Sequence, residues 1–285
     1  MSTCGVCGTT TAPWRMDSRN TVDRCPACGT VARDLDRAPA GARSTADGGD
    51  PGLDRWRLAA TYRRLRGLVP AGGRVFEIGF GSGALLRRFL DDGVRVAGTD
   101  PGMLGTDIDP AVSSAGDLSD RPVGTGTWPG GNDLVVGVHV VEHVTDLCGF
   151  ARACHDLLRP GGHLVLVTPA ADGAALKGYR ARWWMWEDPT HLRLLTTRSA
   201  RRLLSDAGLV DVHVRRLLLD SLAADGASWA RAVGWRRLPA GGVLSRAPVR
   251  LLVALTAPAV LVARLVVPST RPVIEISARR PAAAG

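Results

Sequence analysis

The stretch VFEIGFGSG, Val75 to Gly83, runs β-forming residues into an acid and then sets three glycines at alternate positions. Gly79, Gly81 and Gly83 permit a sharp turn from strand to helix and a close backbone approach by a ligand. The expected helix, from Ser82 to Leu90, offers free amides and the positive end of its dipole. Ser82 stands where its hydroxyl would cap that helix. A strand that ends this way is built for a nucleotide-like ligand, and the question is which one.

The letters GFGSGA also satisfy the dinucleotide fingerprint G-x-G-x-x-A, a match that is weak on its own. Glu77 discriminates. A carboxylate two residues before the first glycine repels a diphosphate but attracts an ammonium or sulfonium group. Asp100, at the end of the next expected strand (Arg95–Gly98), can accept both hydroxyls of a ribose in either case. A cationic nucleoside without phosphate is S-adenosylmethionine.

Working outward, strands and helices alternate. Leu53 to Pro70 carries Leu53, Trp56, Tyr62, Leu65 and Leu68 near helical spacing. Further strands are expected near Ala115–Leu118, at Asp133–Gly137, at His163–Thr168 and at Val210–Leu218. Helices are expected at Leu147–Leu158 and Ser199–Ala207. Val273–Ala278 alternates like one more strand. Such alternation implies an α/β fold, a mostly parallel sheet covered on both faces. If the last strand pairs with Val210–Leu218, residues 219–271 form an inserted helical cap before it. Within it, 249–267 is apolar but interrupted by Arg250, Pro258 and Arg264, which disfavours a membrane span and leaves a peripheral membrane contact as an alternative.

On these motifs the chain resembles the class I S-adenosylmethionine-dependent methyltransferases, in the branch with the ubiquinone-biosynthesis type. VFEIGFGSG is similar to that family's first motif, and VAGTD ending at Asp100 to its ribose-binding acid. DLVVGVHVVEHV (133–144), LLRPGGHLVLVTP (157–169) and DPTHLRLLTTRSARRLLSDAGL (188–209) are similar to its later motifs. The resemblance implies a doubly wound, Rossmann-like sheet of seven strands with the last antiparallel. It also implies adenine contact at Asp117 and Leu118, and His139 beside the methionine end of the cofactor. It implies a small-molecule acceptor, methylated most readily on oxygen, with carbon or nitrogen as alternatives. In some relatives Glu142-His143 could also hold a divalent ion.

Methyl transfer is an in-line displacement that needs alignment and the removal of a proton. His143 and His191 are the candidate bases, because imidazole titrates near neutrality. The bland reading of each is a hydrogen-bonded structural histidine. Trp183, Trp184 and Trp186 crowd four positions, and at least one is expected to line a pocket for an apolar or ring-shaped acceptor.

Cys4-x-x-Cys7 and Cys25-x-x-Cys28, each followed by a glycine, have the spacing of two knuckles that present four thiolates to one structural Zn²⁺. This ribbon is expected over 1–36, a Pro/Gly-rich linker over 37–52, the core over 53–218 and the last strand and tail over 272–285. No signal-peptide pattern opens the chain, so reduced cysteines and a cytoplasmic setting are expected. The formal charge is +9, and Lys177 is the only lysine. The arginines are scattered and aromatics make up 5%. Nucleic acid is therefore disfavoured as a partner. Recruitment of a protein or RNA by the ribbon stays as the alternative to a small molecule. The sequence carries no signal of oligomeric state.

Overall fold

The computed structural model describes residues 2–16, 21–34, 51–102, 107–123, 130–186, 190–221, 228–229, 232, 234 and 247–283. The expected linker lies outside these residues, except for Pro51 and Gly52, which open the first helix.

Seven strands form the main sheet: β4 (Arg74–Ile78), β5 (Arg95–Thr99), β6 (Asp117–Ser119), β7 (Asn132–Val138), β8 (Leu158–Pro169), β10 (Val210–Arg216) and β11 (Val273–Arg279). Their spatial order is β10-β11-β8-β7-β4-β5-β6. The pairs from β6 to β8 are parallel, and β11 is antiparallel to both its neighbours. The expected α/β architecture, with a reversed last strand after a long insertion, is therefore present.

Alternate residues of each strand enter opposite layers, as the two-residue period of a strand demands. Val75, Val96 and Leu134 pack with Leu65 of α1 (Pro51–Leu65), with Leu85, Leu86 and Phe89 of α2 (Ala84–Asp91), and with Val112 of α3 (Pro110–Ala115). Phe76, Val135 and Leu164 face the other way. They meet Phe150 and Cys154 of α4 (Leu147–Leu157) and Leu203 and Leu204 of α6 (Thr197–Asp206). Both faces are covered, so the strands can be apolar throughout.

Two local expectations change. The helix after the glycine turn begins at Ala84, and its N-cap is Gly83 at φ 75° with no side-chain cap, so Ser82 does not fill that role. Residues 110–115, outside the helices expected from the sequence, form α3 because the Asp109 carboxylate accepts hydrogen bonds from the amides of Ala111 (3.0 Å) and Val112 (3.3 Å).

The N-terminal ribbon is not an appendage held by a linker alone. β1 (Ala12–Arg15), β2 (Thr21–Arg24) and β3 (Val31–Ala32) form a second sheet. Its fourth strand is β9 (Arg193–Leu194), from the segment just before α6. The Thr196 hydroxyl donates to the Cys28 carbonyl at 2.7 Å, and Arg198 donates to the Ala27 carbonyl at 3.1 Å. Of the insertion, the longest described element is α7 (Ala247–Val266), which carries Pro258 inside it.

Candidate active site

The glycine turn sits at the carboxyl ends of β4, β5 and β7. Gly79, Gly81 and Gly83 all have positive φ, at 72°, 53° and 75°. A Cβ on Gly79 would lie 2.6 Å from the Val140 side chain, so a larger residue is excluded by space as well as by backbone. Asp100 follows β5 and reaches across: its carboxylate accepts from the Gly81 amide at 2.8 Å and from the Gly102 amide at 3.2 Å. Glu77 is buried in β4, and one of its carboxylate oxygens, Oε2, has no hydrogen-bond partner. Burial, and then the negative charge of Asp100, push its carboxyl well above the usual carboxylate range. A buried carboxylate with an unpartnered oxygen, beside a second acid and a backbone that admits close approach, fits a cation and not a diphosphate.

Asp117 does not join this group. It is the first residue of β6, level with Ala97 two residues before the end of β5. Its exposed carboxylate pairs with Arg74 at 2.9 Å, at the start of β4 and so at the opposite end of the sheet. Register explains the misplacement: Ser119, not Asp117, lies level with Thr99 next to Asp100. Leu118 lies between, half-buried beside the Ile108 and Val112 cluster that also borders Gly83.

Beyond β7 the chain turns through His139, at φ 57°, into a short helical turn over Val141–His143. Glu142 is fully buried there. It accepts from the Thr168 hydroxyl at 2.9 Å and contacts His139 Nδ1 at 3.0 Å. Burial alone would raise its carboxyl, but the His139 hydrogen bond and the charges of His139, His191 and His143 hold it down to about 2. His143 and His191 stack edge-to-face with centroids 4.7 Å apart. His143 Nδ1 is 3.0 Å from the Thr190 carbonyl, and His191 Nδ1 contacts the Met185 carbonyl. A carbonyl accepts only, so a bond to it needs the proton on Nδ1, which leaves Nε2 as the nitrogen able to take a proton from a substrate when the ring is neutral. Ligating atoms of Glu142, His143 and His191 lie within 4.8 Å of one another, a set that could hold a divalent cation.

Glu142 is a more central group here than its pairing with His143 suggests in the sequence. Its i, i+3 spacing from His139 is the local signal. Arg33 has no such signal. Its guanidinium lies 4.0 Å over the Trp186 ring and donates to the carbonyls of His191 (2.9 Å) and Trp186 (2.6 Å), and its amide donates to the Leu192 carbonyl at 2.9 Å. Trp183 and Trp186 are buried in the seam between ribbon and core with Met16, Val22 and Val31, so these two serve packing rather than an open pocket. The Trp184 side chain lies outside the described residues.

The four cysteines converge as their spacing implies. Cys4 and Cys28 sulfurs are 3.5 Å apart, Cys7 and Cys25 3.4 Å, and Cys7 and Cys28 3.7 Å. Four thiolates around a tetrahedral zinc ion would be about 3.8 Å apart, whereas a disulfide needs about 2.05 Å. The two knuckles repeat one geometry: Gly8 donates to the Cys4 carbonyl and Gly29 to the Cys25 carbonyl, each at 2.9 Å and each glycine at positive φ.

Residues 54–214 match the methyltransferase domain family. A ubiquinone biosynthesis O-methyltransferase of Dinoroseobacter shibae is 30% identical over 187 residues, covering 59% of this chain and 73% of that protein. One from Xanthomonas axonopodis pv. citri is 34% identical over 127 residues, covering 39% of this chain and 51% of that protein. The chain thus spans about half the length of the Xanthomonas relative. Among solved structures, an S-adenosylmethionine-dependent methyltransferase from Mesorhizobium loti gives a TM-score of 0.53 at 20% identity, covering 80% of this chain and 100% of that one. Phosphoethanolamine N-methyltransferase 2 of Haemonchus contortus, in complex with S-adenosyl-L-methionine, gives 0.54 at 15%, covering 79% and 52%. At these identities the structural likeness is one of fold.

Proposed function

This chain belongs to the methyltransferase domain family, and from that premise we propose that it moves the methyl group of S-adenosylmethionine to an oxygen of a small-molecule acceptor. The observation that carries the reading is the unpartnered Oε2 of buried Glu77 beside the glycine turn. The ubiquinone O-methyltransferase relatives support a small acceptor and oxygen as the atom.

Bound S-adenosylmethionine supplies a methyl on a sulfonium that leaves as a neutral thioether. In this reading Glu77 balances the cationic charge of the cofactor. Gly79, Gly81 and Gly83 admit it to the backbone, and Asp100 exchanges its bond with the Gly81 amide for the ribose hydroxyls. Leu118 borders the base, and His139 borders the methionine end. The acceptor O–H bond breaks as the new O–C bond forms, and the proton passes to Nε2 of His143. Glu142 offsets the imidazolium charge, and His191 packs against the ring to hold its plane. The four thiolates Cys4, Cys7, Cys25 and Cys28 hold a structural Zn²⁺ that fixes the ribbon.

A second reading of the same residues rests on the closeness of Glu142, His143 and His191. There Glu142, His143 and His191 would hold a divalent cation, whose Lewis acidity would acidify the acceptor hydroxyl in place of a histidine base. Turnover that is lost with a chelator while the ribbon keeps its zinc would favour it.

The reading is tested by incubating the protein with methyl-labelled cofactor and a fractionated metabolite extract. Label in organic-soluble small molecules is expected. His143→Gln should lower turnover by roughly 10²- to 10⁴-fold, the usual worth of a general base, without changing cofactor affinity. Label confined to protein or RNA would contradict it and favour recruitment by the ribbon.

A further inference from the structure

The ribbon meets the core at β9, and β9 brings a cation with it. Arg193 pairs with Ala32 of β3, and Ala32 pairs with Asp23 of β2, so Arg193 continues the ribbon's own sheet. Three residues on, the Thr196 hydroxyl donates to the Cys28 carbonyl at 2.7 Å, which sets this segment against the second knuckle. The first knuckle is held by α4: the Cys148 thiol donates to the carbonyl of Gly5, between Cys4 and Cys7, at 3.2 Å. The Arg193 guanidinium reaches the same place, because its Nη2 lies 3.5 Å from the carbonyl oxygen of Thr145, three residues before Cys148. Its Nε is buried and has no hydrogen-bond partner among the described residues.

A guanidinium does not deprotonate in a protein, so a partly buried one that lacks hydrogen bonds is stable only where negative charge faces it. Burial lowers the basicity of Arg193, and the negative charges of Cys4 and Asp23 act against that. Asp23 already accepts from the Ser2 hydroxyl. The cysteines need the cation more. Four thiolates exceed the charge of one Zn²⁺ by two, and Cys4, Cys25 and Cys28 are buried. Excess negative charge away from water is costly unless an opposite charge lies close.

We infer that Arg193 is the counter-charge of the zinc centre, a positioning residue that the methyltransferase core supplies to the ribbon. The inference rests on the reading of the four cysteines as a zinc site. It makes metal loading and ribbon docking one event. The zinc thiolates draw β9 to the ribbon, and β9 carries the charge that steadies the thiolates. Arg198 is the contrasting cation: it donates to the Ala27 carbonyl but is exposed, so water screens its charge.

The test is equilibrium competition for Zn²⁺ between the full chain and a chromophoric chelator. Arg193→Met keeps an apolar stem, drops the charge and leaves no buried polar group, a change that folds tolerate well. It should bind zinc about 10- to 100-fold more weakly than the wild type, the usual worth of a group that supports metal ligands from outside. Arg193→Lys restores the charge and should recover most of that loss. Arg198→Gln should change zinc affinity less than about threefold. Unchanged affinity for S-adenosylhomocysteine shows that each variant folds, and Arg193→Gln replaces the Met variant should that one fail this check. Equal zinc affinity in the wild type and the uncharged variant overturns the inference and leaves the zinc site standing. So does a Lys variant as weak as the Met variant, or an Arg198→Gln loss as large. A wild type that binds no zinc overturns the zinc reading and this inference with it.

Discussion

The carboxylate of Asp100 accepts a hydrogen bond from the amide of Gly81 at 2.8 Å, joining the end of β5 to the middle of the glycine turn. The bond shapes the turn before any ligand arrives and marks where ribose hydroxyls would compete. Asp100→Ala should weaken S-adenosylhomocysteine binding by about 10- to 100-fold, as expected for a lost hydrogen bond to a charged group. Isothermal titration checks this, and circular dichroism should show an intact fold.

Gly79→Ala tests the turn itself. The position has φ 72°, and the new Cβ would meet Val140 Cγ2 at 2.6 Å. A cost of about 2 kcal/mol or more in unfolding free energy is expected from the left-handed backbone and the clash together. Adding Val140→Ala should recover part of it, because that change relieves the contact and not the dihedral angle. Full recovery would show that the backbone is unstrained.

Arg33 ties the ribbon to the segment that carries His191, because it bonds the backbone of His191 and Trp186 from outside the core. Arg33→Ala should lower kcat on the order of tenfold, the effect of a displaced histidine, while cofactor affinity stays constant. Metal analysis should find one zinc per chain in both proteins. Stripping that zinc should reproduce the kcat loss, since β3 and the Cys28 carbonyl hold β9 and Thr196. Unchanged turnover after zinc loss would separate ribbon from site.

Glu142 gives a pH signature. Its carboxyl is held at about 2 against an ordinary value of 4.5. A depressed folded value means that ionised Glu142 stabilises the native state above 4.5, and that this contribution disappears as pH falls toward 2. Glu142→Gln should therefore be less stable than the wild type at neutral pH. The gap should narrow through that window in chemical denaturation, with His139, His143 and His191 as the cationic groups that face the carboxylate.

How much of this was legible in the sequence depends on distance along the chain. The glycine turn, Glu77 and Asp100 could be read because their chemistry lies within a strand and its following turn. The cysteine knuckles repeat a local spacing and were legible for the same reason. Asp117 was misplaced because a motif gives composition and not register, and two residues of shift in β6 exchange one end of the sheet for the other. Ser82 looked like a cap, but a positive φ at Gly83 placed the helix start two residues later. His143 with His191, and Arg33 with both, meet only in the fold. The sequence left 249–267 between a helical cap and a peripheral surface contact, because its letters suit a core helix as well as an exposed one.

The central claim is that Glu77 receives a cation. Its folded carboxyl lies well above the ordinary 4.5, so the free protein is favoured below that pH and loses stability as pH rises toward the folded value. Glu77→Gln should thus be more stable than the wild type at pH about 8 without ligand. The most direct measurement is isothermal titration of both proteins with S-adenosylmethionine and with NAD. The account predicts one saturable S-adenosylmethionine site in the wild type, at least roughly tenfold weaker binding in Glu77→Gln, and no NAD binding to either. Equal S-adenosylmethionine affinity in the two proteins, or NAD bound by the wild type, would contradict it.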